Sequence, residues 1–126
     1  MEVKVIPKVV HFEIPADNTQ RAVNFYQKVF NWKIEKWQGP MDYWLITTGE
    51  DKELGINGAI TPKANLSATT NTVDVPSVDD FVKKITEAGG KVVQGKMAVP
   101  GIGYMAYCAD TEGNLFGIMQ RDKSAK

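Results

Sequence analysis

The sequence predicts an α+β fold of two tandem β-α-β-β-β modules, and three observations carry that prediction. Period-two alternation, a stretch of helical spacing and three further strand-like stretches follow one another twice in the same order. The two rounds superpose with a nearly constant offset. Pro15 falls on Pro76 at 61 residues and Lys33-Ile34 on Lys91-Val92 at 58, the second helical connection being three residues shorter. The length of 126 residues suits one core, burying roughly two-thirds of the surface the unfolded chain exposes. The expectation is a single domain over residues 1–126, with module one at about residues 6–62 and module two at about residues 68–121.

In module one, "KVVHFEIP" sets Val10, Phe12 and Ile14 on one side of a strand and Val9, His11 and Glu13 on the other. A helix follows, for Asp17 with Gln20 three residues on resembles a capping box, and Ala22, Val23, Tyr26, Val29 and Phe30 recur at helical spacing. Strands are then expected in "KIEKW" and "DYWLITT", a polar turn in "GEDKE" and a weaker, glycine-broken strand in "LGINGAI". Module two begins with "NTVDVP", which puts Val73 and Val75 opposite Thr72 and Asp74. Ser77 can cap a helix bearing Val78, Phe81, Val82, Ile85 and Ala88, ended by Gly89 and Gly90. "KVVQGK", "GYMAYCA", the turn "DTEGN" and "LFGIMQ" complete it. A short sheet with one helix leaves its other face uncovered, so the two modules are expected to share a layer. "NLSATT", residues 65–70, is the expected linker; its Asn-Leu-Ser triplet reads as chance in the absence of a secretory signal.

Composition excludes several classes of partner. Fifteen basic residues balance fifteen acidic ones, which removes the electrostatic case for nucleic acid, and the lysines at 83, 84 and 91 read as a solvated face. The longest apolar run, "YMAYCA", is far short of the roughly 20 residues that span a bilayer, so no membrane association is expected. "MEVKVIPKVV" lacks the apolar stretch of a secretory signal. Cys108 has no partner for an internal disulfide; a cytoplasmic location is the expectation, with the thiol buried and inert in its apolar strand.

The stretches "HFEIPADNTQRAVNFYQKVFNW", "VDVPSVDDFVKKITEAGGKVV" and "ADTEGNLFGIMQ" resemble the vicinal oxygen chelate superfamily, which gathers glyoxalase I, bleomycin-resistance proteins and extradiol dioxygenases. The resemblance covers about residues 8–120. It implies an open, cup-shaped mixed sheet with helices on the outer face, and homodimers. In metal-dependent members one divalent ion sits in the cup, held by the first and last strands of each module, where imidazole and carboxylate donors converge.

Compared residue by residue, His11 stands where many relatives place the first ligand. The matching strand of module two offers Thr72 by the proline alignment, or Thr70 counting back from Gly89. The last strand has Gly117 where the metal-dependent pattern has glutamate, and "LGINGAI" offers glycine and amide. At most one of four ligand positions is kept, against the roughly three protein ligands a metal site takes, so neither metal nor other cofactor is expected. On this reading Gly117 leaves room where a ligand would have stood.

A metal-free cup still has a lining. A simple hairpin at 110–114 pairs Tyr107 with Gly117 and Met105 with Met119, and the offset of 61 carries Met105 onto Trp44 and Tyr107 onto Ile46. Trp44, Ile46, Met105, Tyr107, Leu115, Gly117 and Met119 are thus the expected lining, with His11, Glu13, Thr72 and Asp74 as polar groups and Trp37 and Gln38 in a loop at the rim. Three functions fit. The first is binding of a small organic molecule without a complete metal site. The second is an enzyme, a divalent-metal-dependent lyase, isomerase or dioxygenase using His11, or glyoxalase-like lyase chemistry with His11 as general base oriented by Glu13. The third is a protein-interaction domain.

Overall fold

The computed structural model describes residues 6–64 and 66–126. The elements run β1 (Lys8–Ala16), α1 (Thr19–Phe30), β2 (Lys33–Lys36), β3 (Trp44–Thr47), β4 (Asn57–Pro62), β5 (Thr70–Asp74), α2 (Val78–Glu87), β6 (Lys91–Val99), β7 (Gly103–Ala109) and β8 (Leu115–Arg121). The fold is α+β, the β-α-β-β-β order occurring twice as the internal repeat requires. Contacts divide the chain into two units, Val10–Thr70 and Asn71–Lys126 with residues 6–9. Asn65, the acceptor of the Asn-Leu-Ser triplet, and residues 1–5 of the leading stretch lie outside the described residues.

In module one the strand order is β2-β3-β4-β1, with β1 parallel to β4 and the other pairs antiparallel. Helix α1 starts at Asn18, one residue later than the capping box predicts. Asn18 holds an extended backbone, and its side-chain oxygen accepts the Arg21 N–H at 2.9 Å, satisfying a donor that the first turn leaves open. Asp17 instead lies 3.2 Å from Lys63 Nζ, and Gln20 donates to Asn24. Asn31 ends the helix in the left-handed region, φ 60°, its N–H bonding to Gln27 O.

The buried cluster of module one is Ala16, Val23, Ile34, Ile46 and Ile60, with Phe12, Ile14, Ala22, Tyr26, Trp32 and Trp44 packed against it. Fully burying an isoleucine of this kind contributes about 1.5–3 kcal/mol. Val29 and Phe30, which recur at helical spacing with Ala22, Val23 and Tyr26, are 54 % and 55 % exposed. Phe30 instead stacks on Trp32 at 5.1 Å, and Trp32 on Tyr26 at 5.3 Å, an aromatic layer whose outer side faces water. The segment taken for a polar linker also differs, because Leu66 and Thr70 are buried within it.

In module two the order is β5-β8-β7-β6, with β5 parallel to β8 and the others antiparallel. Ser77 caps α2 through a bond from Asp80 N–H at 3.2 Å, as expected. Gly89 at φ +97° and the Gly90 N–H on Ile85 O close the helix, a turn that needs a residue without Cβ. Helix α2 covers the face carrying Ala106 and Ile118, through Val78, Phe81, Val82 and Ile85.

Candidate functional site

The β7–β8 hairpin is fixed by its turn. The Asp110 carboxylate accepts the N–H groups of Glu112 (2.8 Å) and Asn114 (2.9 Å) and the Asn114 side-chain amide (3.1 Å), while Gly113 supplies φ +83°. The bonds from Asn114 first, then Glu112, hold the Asp110 carboxyl below its usual range. With the turn set, the register follows: Tyr107 pairs with Gly117 and Met105 with Met119. Across β8, Gly117 pairs with Thr72 and Met119 with Asp74. These side chains lie opposite Ala106 and Ile118, on the face away from α2.

Two rows cross this face. In the first, Thr72, Gly117, Tyr107 and Gln94 stand side by side. A Cβ at Gly117 would stand 3.2 Å from Thr72 Oγ1 and 3.6 Å from a ring carbon of Tyr107. The space above Gly117 is therefore covered by Thr72 and Tyr107, which corrects the reading of an empty place; the ring lies over the glycine. In the second row Met97, Met105 and Met119 stand in register on adjacent strands, all half-buried, with Asp74 at the end. Gln94 Nε2 donates to Met97 Sδ at 3.2 Å, and Arg121 Nε lies 3.6 Å from Asp74 Oδ1. Met97 is absent from the sequence expectation because register shifts in β6, between Val92 and Gln94 and between Gln94 and Met97, hide its pairing. Cys108 is fully buried on the other face, and burial pushes its thiol up, leaving it unreactive.

In module one the expected lining is corrected by one residue. Trp44 pairs with Ile60 and Ile46 with Gly58, and these are the partners of Ile14 and Phe12, so Trp44 and Ile46 belong to the helix side. Ile46 is 1 % exposed in the core, and Trp44 packs there with its indole N–H on Asp42 at 2.9 Å. Leu45, which pairs with Ala59 beside Glu13, occupies the other face instead. The two repeats correspond here at an offset of 60, and a slip of one residue in a strand turns every side chain over.

His11 and Glu13 do share the face away from α1. His11 Nε2 lies 2.8 Å from the Tyr43 hydroxyl, with the rings 14° from parallel. Tyr43 escaped the sequence reading, although alternation from Leu45 would have placed it. It ends a loop closed by the Trp37 N–H on Tyr43 O at 2.8 Å, with the Trp37 ring edge-on to Tyr43 at 6.0 Å. Asp42 anchors the same loop by accepting from Thr19 Oγ1 and Trp44 Nε1, each at 2.9 Å.

Burial holds the His11 imidazole below its usual value, and the Glu13 carboxylate offsets part of that shift. A base whose folded value lies below its unfolded one binds fewer protons when folded, so this group's contribution to stability falls as pH drops through about 6.5. His11 is the chain's one histidine, which gives a single imidazole signal in a proton NMR titration. Its midpoint is expected below about 6.5; a midpoint above that would contradict the burial argument.

Of the groups the sequence reading weighed as donors, His11 in module one has one ring nitrogen at Tyr43, while in module two Thr72 offers a neutral hydroxyl and Gly117 no side chain. Among the described residues no group of three or more His, Cys, Asp or Glu side chains could hold a metal ion. Among the described residues no helix is long and apolar enough to cross a membrane.

No curated protein sequence is significantly similar to the chain. Among solved structures, hypothetical protein BH1468 from Bacillus halodurans C-125 is similar with TM-score 0.70 at 13 % identity, over 95 % of this chain and 98 % of that one. A glyoxalase/bleomycin resistance protein/dioxygenase superfamily member from Vibrio splendidus 12B01 has TM-score 0.64 at 14 % identity, over 93 % and 100 %. A single-residue variant of Streptomyces coelicolor methylmalonyl-CoA epimerase, in complex with 2-nitronate-propionyl-CoA, has TM-score 0.66 at 12 % identity, over 97 % and 99 %. At such identities the likeness is one of fold. The sequence profile of one family matches residues 8–118, nearly the whole chain, and the protein belongs to that family, the Glyoxalase/Bleomycin resistance protein/Dioxygenase superfamily.

Proposed function

We propose that the chain binds a small organic molecule with a flat, largely apolar body, and that it does so without a complete metal site. The observation that carries this reading is the in-register row of Met97, Met105 and Met119, half-buried on a sheet face that α2 does not cover. Thioether side chains are flexible and polarizable, adapt to irregular ligand shapes and make favourable contacts with aromatic ring edges. Thr72, Gln94 and the Asp74–Arg121 pair supply polar groups around the row, the pattern of apolar wall and few polar contacts expected of a small-molecule site. The metal-free part of the reading is supported within each module by its donors: His11 is the one imidazole in module one, and Thr72 and Gly117 bring a neutral hydroxyl and no side chain in module two. The 2-nitronate-propionyl-CoA of the epimerase structure is not carried over, since the likeness there is one of fold.

A thermal-shift screen of aromatic and dicarbonyl compounds tests the reading. A ligand at a hundred times its Kd is expected to stabilise the fold by about 2.7 kcal/mol. Met105→Ala and Met119→Ala are each expected to weaken a compound found this way by about tenfold, the loss of roughly 1.4 kcal/mol of contact. Unchanged affinity in both variants would move the site elsewhere, and stoichiometric zinc, nickel, iron or manganese in the purified protein would overturn the metal-free reading.

A further inference from the structure

We propose that Arg121 binds a carboxylate of the ligand, so that the molecule taken is an organic acid whose apolar body lies on the methionine row. This rests on the reading of the chain as a small-molecule binder and names the charged group of what it takes. Every residue used belongs to the unit of Asn71–Lys126 with residues 6–9.

Register sets the distance. On β8, Arg121 follows Met119 by two residues, so both side chains leave the same face from roots roughly 7 Å apart. Asp74 pairs with Met119 at the end of the row and meets Arg121 Nε at 3.6 Å, which keeps the guanidinium beside the row. On its other flank Arg121 pairs with Gly103 of β7, which brings no side chain. Asp74, Gln120 and Arg121 also line, with Pro7, Val75 and Pro76, an open cavity of about 240 Å³, so this end of the row has room for a ligand group.

The shape of the guanidinium selects that group. Its five N–H donors lie in a planar fork, and Asp74, its one ionic partner among the described residues, is met from the Nε side. The Nη edge remains, and two parallel N–H bonds from that edge match the two oxygens of a carboxylate. An acid bound there stands on the far side of the guanidinium from Asp74. An ammonium on Asp74 has no such far side, because it would share the small carboxylate with the guanidinium already beside it. Exposure favours the same choice, the Arg121 side chain being 68 % exposed and that of Asp74 36 %. An ion pair open to water contributes little alone, so the apolar row must place the acid at the fork.

The test titrates three compounds of similar length into the full chain by calorimetry: 3-phenylpropanoate, its neutral amide 3-phenylpropanamide and the cation 3-phenylpropylamine. The quantity read is the ratio of acid affinity to amide affinity in the wild type, in Arg121→Gln and in Arg121→Lys, the amide serving within each variant as the reference for the apolar wall. In the wild type the acid is expected to bind about fivefold to tenfold more tightly than the amide, and Arg121→Gln is expected to abolish that preference. Arg121→Lys keeps the charge without the fork and is expected to fall between the two. Equal binding of acid and amide to the wild type, or a preference that Arg121→Gln leaves unchanged, overturns the assignment while the small-molecule reading stands. A preference for the amine makes Asp74 the reader and overturns it as well. If none of the three binds, the assignment fails, and the small-molecule reading fails with it only where the thermal-shift screen is also blank.

Discussion

Ile46→Ala is expected to lower the unfolding free energy by about 2–5 kcal/mol, while Leu45→Ala, one position earlier, changes it by less than about 1 kcal/mol. Both side chains lose the same three carbons, so the contrast depends on which face of β3 each occupies. Ile46 is 1 % exposed and packs with Ile34, Ile60 and Val23 under α1, where truncation leaves a cavity that strands on either side cannot collapse to fill. Leu45 is 41 % exposed, on the opposite face. Denaturation by urea with far-ultraviolet circular dichroism measures both variants. A reversed order, with Leu45→Ala the costlier, would put β3 in the alternative register and return Ile46 to the lining.

Gly117→Glu is expected to destabilise the fold at neutral pH by about 3–5 kcal/mol, the cost typical of a buried charge without compensation. The carboxylate would have to emerge between Thr72 Oγ1 and the Tyr107 ring, where even a Cβ stands 3.2 Å from the hydroxyl. Gly117→Ala separates the steric part, and about 1 kcal/mol or less is expected because the threonine can adjust by a few tenths of an ångström. The charge part has a sign. Burial raises a carboxyl above its unfolded value of about 4.3, so the penalty is present above that pH and shrinks as pH falls toward it and the folded carboxyl protonates. The gap between Gly117→Glu and Gly117→Ala should therefore narrow between pH 7 and pH 4.5. A gap constant with pH would mean that the side chain reaches water.

The same two positions explain what the sequence could and could not reveal. Tyr107 and Gly117 were legible because Asp110, Gly113 and Asn114 form a turn whose chemistry fixes the hairpin register, and every pairing counted back from it follows. Strand β3 has no such marker. It is entered from the 37–43 loop and left through the irregular stretch between Thr48 and Asn57, so only the repeat could align it, and a repeat offset wavering between 61 and 58 does not resolve one residue. The strand β1 pattern, by contrast, kept His11 and Glu13 together and away from the core, since Phe12 and Ile14 alternate with them. Alternation from Leu45 gives the face of Tyr43, but its meeting with His11 needed tertiary information. Nothing local says that a tyrosine in "DYW" meets a histidine on another strand 32 positions earlier.

The Asp110 clamp also bears on how the chain reaches this structure. Its bonds span at most four residues, so closing the β7–β8 hairpin forfeits little chain entropy. The parallel pairing of β5 with β8 must bring together segments from opposite ends of the module, with α2 and two strands between them. Loop length therefore predicts that the hairpin closes first and offers the edge onto which β5 docks.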